Sequence, residues 1–156
     1  MWYTYTMSVS FFVFLFFIFV SACTHALLEI QIEGPHGWAA TLPTRRFTNW
    51  WTQHFTEVGH VTAFHILTVF LILVLAHFPM FFVEHWSPRF EALVLAFVFF
   101  HFVVEDFLWF ILNPSFGLKK FSSKYIWWHA RWMLGLPLGY WLGLLCGVVL
   151  YLFATR

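Results

Sequence analysis

The strongest constraint on this chain is a set of four apolar runs, roughly Met7–Leu28, Val61–Val83, Phe90–Leu112 and Trp132–Phe153. Each matches the ~20 residues that a helix needs to cross the hydrocarbon core of a bilayer. Lipid offers no partner to a backbone N–H or C=O, so only helices and closed barrels cross it. Continuous apolar runs select helices over alternating strands. Composition agrees, since 62% of the 156 residues are hydrophobic and only 10% are charged. The predicted fold is all-α: one integral membrane domain over residues 1–156, built as a four-helix transmembrane bundle with two amphipathic helices in the interface. The eight Lys and Arg flank apolar runs and give a net charge of +1. That is no footprint for nucleic acid, and the expected surroundings are a lipid bilayer.

The first run ends in "VSAC", a pattern similar to a lipoprotein cleavage box, but "MWYTYTMS" before it carries no positive charge. An uncleaved helix is expected. In the segment after it, Phe47, Trp50, Trp51, Phe55 and Val58 recur at helical spacing, with Arg46, Asn49, Gln53 and Glu57 opposite. This predicts a short helix lying in the interface, its tryptophans at headgroup level. After the third run, Asn113-Pro114 stops the helix. Ser122 or Ser123 would cap a second interfacial helix with Tyr125, Trp128, His129 and Trp132 along one stripe. The two long connections share a face of the membrane and hold Arg45, Arg46, Lys119, Lys120, Lys124 and Arg131. The other face holds Arg89 and Arg156. The excess of positive charge predicts the long connections on the cytoplasmic side and both termini outside, in a cell inner membrane.

That topology gathers polar groups at one depth. The first helix finishes with Glu29, Gln31 and Glu33, the second opens with His60 and His65, and His129 opens the fourth. Asp106 lies about 10 Å from the inner end of the third helix at Asn113, at ~1.5 Å per residue. His77 stands apart, towards the outer end of the second helix. His101 and Glu105 are four residues apart and share a face, whereas Asp106 is turned by about 100° from Glu105. A carboxylate ion facing lipid costs at least ~2.5–3.5 kcal/mol, so both should face the bundle interior, a wet cavity or a partner.

Three chemistries fit such a group. His65, His101 and His129, with carboxylates, would make a mixed nitrogen and oxygen set for a divalent metal ion such as zinc, iron, manganese or copper. Asp106, Glu105 and Glu33 would serve as catalytic acids or bases beside a histidine. A histidine could also hold haem or a pigment. Against these stands plain pairing, in which the same groups pin helices together. The leading expectation is a metal-dependent or acid–base enzyme acting on a lipid-soluble substrate. The alternative is a non-catalytic subunit of a larger membrane complex. His36, His54, Glu84, His85, Lys119 and Lys120 read as surface.

"GLPLGYWLGLLCG" places Gly135, Gly139, Gly143 and Gly147 four apart, a GxxxG ladder along which another backbone can approach closely. It predicts either a seam within the chain or the interface of a homo-oligomer or larger complex. Cys23 and Cys146 form no metal-type pair and no disulfide framework.

"LLEIQIEGPHGWAATLPTRR", "EDFLWFILNPSFGLKKF" and "IWWHARWMLGLPLGYW" resemble segments of an uncharacterised family of small prokaryotic multi-pass membrane proteins. The resemblance covers about half of the chain and rests on positions such as Glu33, Gly37, Trp38, Asp106, Asn113 and His129. It implies no activity. It does imply that Glu33, Asp106 and His129 act together, with Glu105 apart.

Overall fold

The computed structural model describes residues 11–56, 58–83 and 85–156. The start of the first run at Met7, Glu57 of the first interfacial stripe and Glu84 lie outside them. The fold is mostly helical. Four helical stretches are long and apolar enough to cross a membrane: α1 (Phe11–Glu33), α3 (Ala63–His77) with its 3-10 extension Phe78–Phe82, α4 (Pro88–Leu112) and α5 (Leu138–Thr155). A short helix, α2 (Trp50–Phe55), lies between α1 and α3. Two-residue strands close the connections: β1 (Arg46–Phe47) pairs with β2 (Val61–Thr62), and β3 (Trp132–Met133) with β4 (Leu136–Pro137).

Side chains cap the helices where the sequence permits. Ser87 accepts the Phe90 N–H at 3.1 Å, with Pro88 in the first turn of α4. Asn49 and Thr52 form a capping box on α2, satisfying donors that a helix start leaves bare. Thr62 accepts the His65 N–H at 3.2 Å at the start of α3.

α1 and α4 run in the same direction, shown by contacts that advance together: Phe17 with Phe97, Ser21 with His101, and Gly34 with Asn113. Ala22, Ala26 and Ala96 are completely buried and keep the helix interiors close-packed. At the end where α1 and α4 finish, Ile30, Trp109, Phe110, Ile126 and Trp128 make an aromatic core. α5 runs antiparallel to α4. A methyl group on Gly143 would meet Val103 at 2.6 Å, and one on Gly147 would meet the Phe100 ring at 2.8 Å. Half of the glycine ladder is therefore a seam within the chain. Gly139 and Gly135 face open space. α3 has no buried residue. Its outer face and that of α1 expose large apolar groups such as Phe12, Phe16, Leu67 and Phe70, a surface that water does not tolerate at this extent.

Three expectations need correction. α1 continues to Glu33, beyond Leu28, because Glu and Gln are good helix formers. It stops where Gly34, at φ +66°, donates its N–H to Ile30 O, a left-handed cap. α5 begins at Leu138, not Trp132. Leu134 and Gly135, both at positive φ, turn the β3–β4 hairpin, which suits a two-residue turn of this hand. The second interfacial helix does not form. Residues 118–131 run as a 3-10 turn and bends, with Ile126 and Trp128 both buried. Two buried positions two apart follow an extended chain, and the aromatic core captures them.

Candidate functional site

The site grows from one spacing that occurs twice. His25-Ala-Leu-Leu-Glu29 on α1 and His101-Phe-Val-Val-Glu105 on α4 each put a histidine and a glutamate on one helix face. Because the helices are parallel, the histidines meet and the glutamates meet. His25 Nδ1 lies 3.1 Å from His101 Nε2, and His101 Nδ1 lies 3.1 Å from Ser21 Oγ.

The proton positions follow from this chain. The Ser21 hydroxyl donates its one hydrogen to Ile18 O at 3.0 Å. His101 Nδ1–H must then donate to Ser21 Oγ, which leaves His101 Nε2 as an acceptor. His25 Nδ1–H donates to it. The result, for neutral rings, is a bare lone pair on His25 Nε2. That atom is buried, has no hydrogen-bond partner among the described residues, and lies 3.6 Å from Glu29 Oε1. Donor atoms of His25, Glu29 and Glu105 all fall within 4.8 Å of one another, and Glu105 Oε1 is also buried without a partner. A lone pair facing carboxylate oxygens in a buried place requires something positive among them, a proton or a metal ion. One imidazole nitrogen with two carboxylates suits zinc, iron or manganese.

These groups line a cavity of about 230 Å³, together with Glu33, Trp38, His65, Asp106 and Trp109. The indole N–H groups of Trp38 and Trp109 are buried there without partners among the described residues. Two further carboxylates are already held. Glu33 Oε1 accepts the Ala39 N–H at 2.5 Å and lies 3.4 Å from His65 Nε2. His65 Nδ1 is 2.6 Å from Thr62 Oγ1. Asp106 Oδ2 lies 2.9 Å from His129 Nε2 and accepts a short hydrogen bond from the Tyr140 hydroxyl. Glu105 thus faces α1 while Asp106 faces α5 and the hairpin connection, the divergence expected from their 100° offset.

The loop after α1 is shaped for this site. Gly37, Trp38 and Ala39 all have positive φ, at 63°, 49° and 48°. Left-handed geometry costs a non-glycine residue about 1–2 kcal/mol. Here it aims the Ala39 N–H at Glu33 and lays the Trp38 ring on His65, centroids 4.3 Å apart. Such local strain gathers at functional sites.

Of the residues expected from the sequence, Glu33, Glu105, Asp106 and His65 line one cavity. His101 supports His25 from behind, both of its nitrogens engaged. His129 pairs with Asp106. Among the described residues, none of His65, His101 and His129 belongs to the cluster of candidate ligand atoms. Asp106 and His129 lie side by side at 2.9 Å, whereas Glu33 lies against His65. His25 is the residue that sequence reasoning missed, and Glu29 was placed at this depth without a role. The repeated His-x3-Glu spacing could have singled out the pair. His36, His54, His85, Lys119 and Lys120 are exposed as expected, and both cysteines are free. Comparison with known protein families, with curated proteins and with solved structures finds no match.

Proposed function

We propose that the chain is a four-helix transmembrane enzyme that binds a divalent metal ion at His25, Glu29 and Glu105 and acts on a lipid-soluble substrate. Both termini lie on the outer side of the membrane, and the cavity lies near its inner face. The observation that carries this reading is the buried His25 Nε2, without a hydrogen-bond partner among the described residues, in a group where donor atoms of His25, Glu29 and Glu105 all fall within 4.8 Å of one another. A bundle interior that held only structural pairs would pair these atoms, as it does for Glu33 and Asp106. A divalent ion supplies Lewis-acid polarisation of a substrate oxygen. His101 and Ser21 fix the tautomer and aim of His25, the support that a liganding histidine needs. Asp106, held by Tyr140 and His129 on the cavity wall, is the acid–base group of this reading. Glu33 and His65 shape the strained loop and hold Trp38 over the cavity.

Metal analysis of the protein purified in detergent and exposed in turn to zinc, iron(II) and manganese tests this. The expected result is about one ion per chain, lost in Glu105→Gln and His25→Ala and retained in His77→Ala. Failure of all three metals to bind, or equal binding by Glu105→Gln, ends the metal reading. The rival view, a non-catalytic subunit docked through the glycine ladder, has less support, because Gly143 and Gly147 are occupied within the chain.

A further inference from the structure

We infer that the substrate is an amphiphile with one long hydrocarbon chain and an uncharged, oxygen-bearing head, the chain lying between α1 and α3. This rests on the proposed metal site and names the molecule that meets it. A groove of about 630 Å³ runs between these helices, walled by apolar side chains such as Phe17, Leu28, Leu67, Leu71 and Leu75. Its volume falls in the range of ligand pockets. It follows α1 from Phe17 to Ile32, about 22 Å at ~1.5 Å per residue, the reach of an extended chain rather than a compact ring.

The groove and the polar cavity share His25, Glu29 and Thr68 as walls. A chain in the groove therefore delivers its head to His25 and Glu29. Charge then excludes an anionic head. Among the described residues, no Lys or Arg lines the cavity, while Glu29, Glu33, Glu105 and Asp106 do. A phosphate or carboxylate head meets repulsion there. A single divalent ion offsets no more than the Glu29 and Glu105 charges. The partnerless N–H groups of Trp38 and Trp109, the latter only 4% exposed, donate to an oxygen. A hydroxyl or carbonyl head accepts from them, and a cationic amine cannot.

Photolabelling tests this, with a diazirine analogue of 1-hexadecanol on the protein in nanodiscs and the labelled residues mapped by mass spectrometry. Labelling is expected on groove residues of α1 and α3 and to be competed by unlabelled hexadecanol at least tenfold better than by palmitate, hexadecyl phosphate or hexadecylamine. Leu71→Trp, at a position 54% exposed and facing the groove, should cut labelling at least tenfold and leave metal content unchanged. Trp109→Phe should weaken competition by hexadecanol several-fold. Val149→Trp on the exposed face of α5 should change nothing. Labelling spread evenly over all lipid-facing helices, insensitivity to Leu71→Trp, or better competition by a charged head overturns the inference. So does a second protein chain cross-linked in the groove. Groove labelling of the unsubstituted protein, together with its failure to bind any of the three metals, would sink the metal reading and leave the amphiphile standing.

Discussion

The two ends of the bundle hold the same kinds of residue and treat them differently. At the end where α3 finishes, His77 and Glu91 pair at 3.1 Å, and the Trp86 indole donates to the other Glu91 oxygen at 3.1 Å. His77 Nδ1 lies 2.6 Å from Leu73 O. Both ring nitrogens of His77 and both carboxylate oxygens of Glu91 thus have partners, and these two side chains remain about 30% exposed. At the opposite end His25 and Glu105 are under 9% exposed and keep atoms unpaired. A histidine–carboxylate pair in a membrane helix is therefore not informative in itself. What distinguishes the ends is burial combined with unmet hydrogen-bonding capacity, which folding alone would remove.

Substitutions can break that contrast, the largest effect at the buried end. Glu105→Met removes a buried carboxylate whose Oε1 has no hydrogen-bond partner among the described residues. In metal-free protein it should raise stability by about 1–4 kcal/mol, as replacement of buried charges by apolar groups does elsewhere, read by thermal unfolding in detergent. Equal or lower stability would mean that Glu105 is already balanced. Gly143→Leu drives a side chain into Val103 on the seam between the ends and should cost about 1–3 kcal/mol. An unchanged melting temperature would place α5 elsewhere. Asn113→Ala removes the 2.9 Å bond from its Nδ2 to Gly34 O, buried at 2% exposure. Stranding that carbonyl should cost about 1–3 kcal/mol and weaken metal binding, because Gly34 starts the loop over the cavity. Glu91→Gln, at the end where α3 finishes, should cost no more than about 1 kcal/mol and leave metal binding untouched. A large loss there would erase the distinction between the ends.

Much of this was legible from the residues, for identifiable reasons. The four long helices follow from apolar length, and the convergence of Glu33, Asp106 and His65 follows from connectivity alone. The divergent directions of Glu105 and Asp106 follow from helical geometry. What was hidden depended on contacts between distant segments. The captured Trp128, which prevents the second interfacial helix, needs the Phe110 ring stacked on it, centroids 5.7 Å apart. His25 looked like one more residue of an apolar run until α4 brought His101 against it. The hydrogen-bond relay that bares its Nε2 passes through Ser21, and no local pattern marks that serine.

α3 carries His65 and one whole wall of the groove, yet none of its side chains is buried against the rest of the chain. In the proposed bilayer setting, lipid pressure and hydrocarbon thickness would hold this helix as much as protein contacts do. A thicker or stiffer membrane would reposition it and change the width of the passage to the carboxylates. The molecule's affinity for what enters should accordingly vary with its host bilayer, and transfer between detergent and lipid should alter it without any change of sequence.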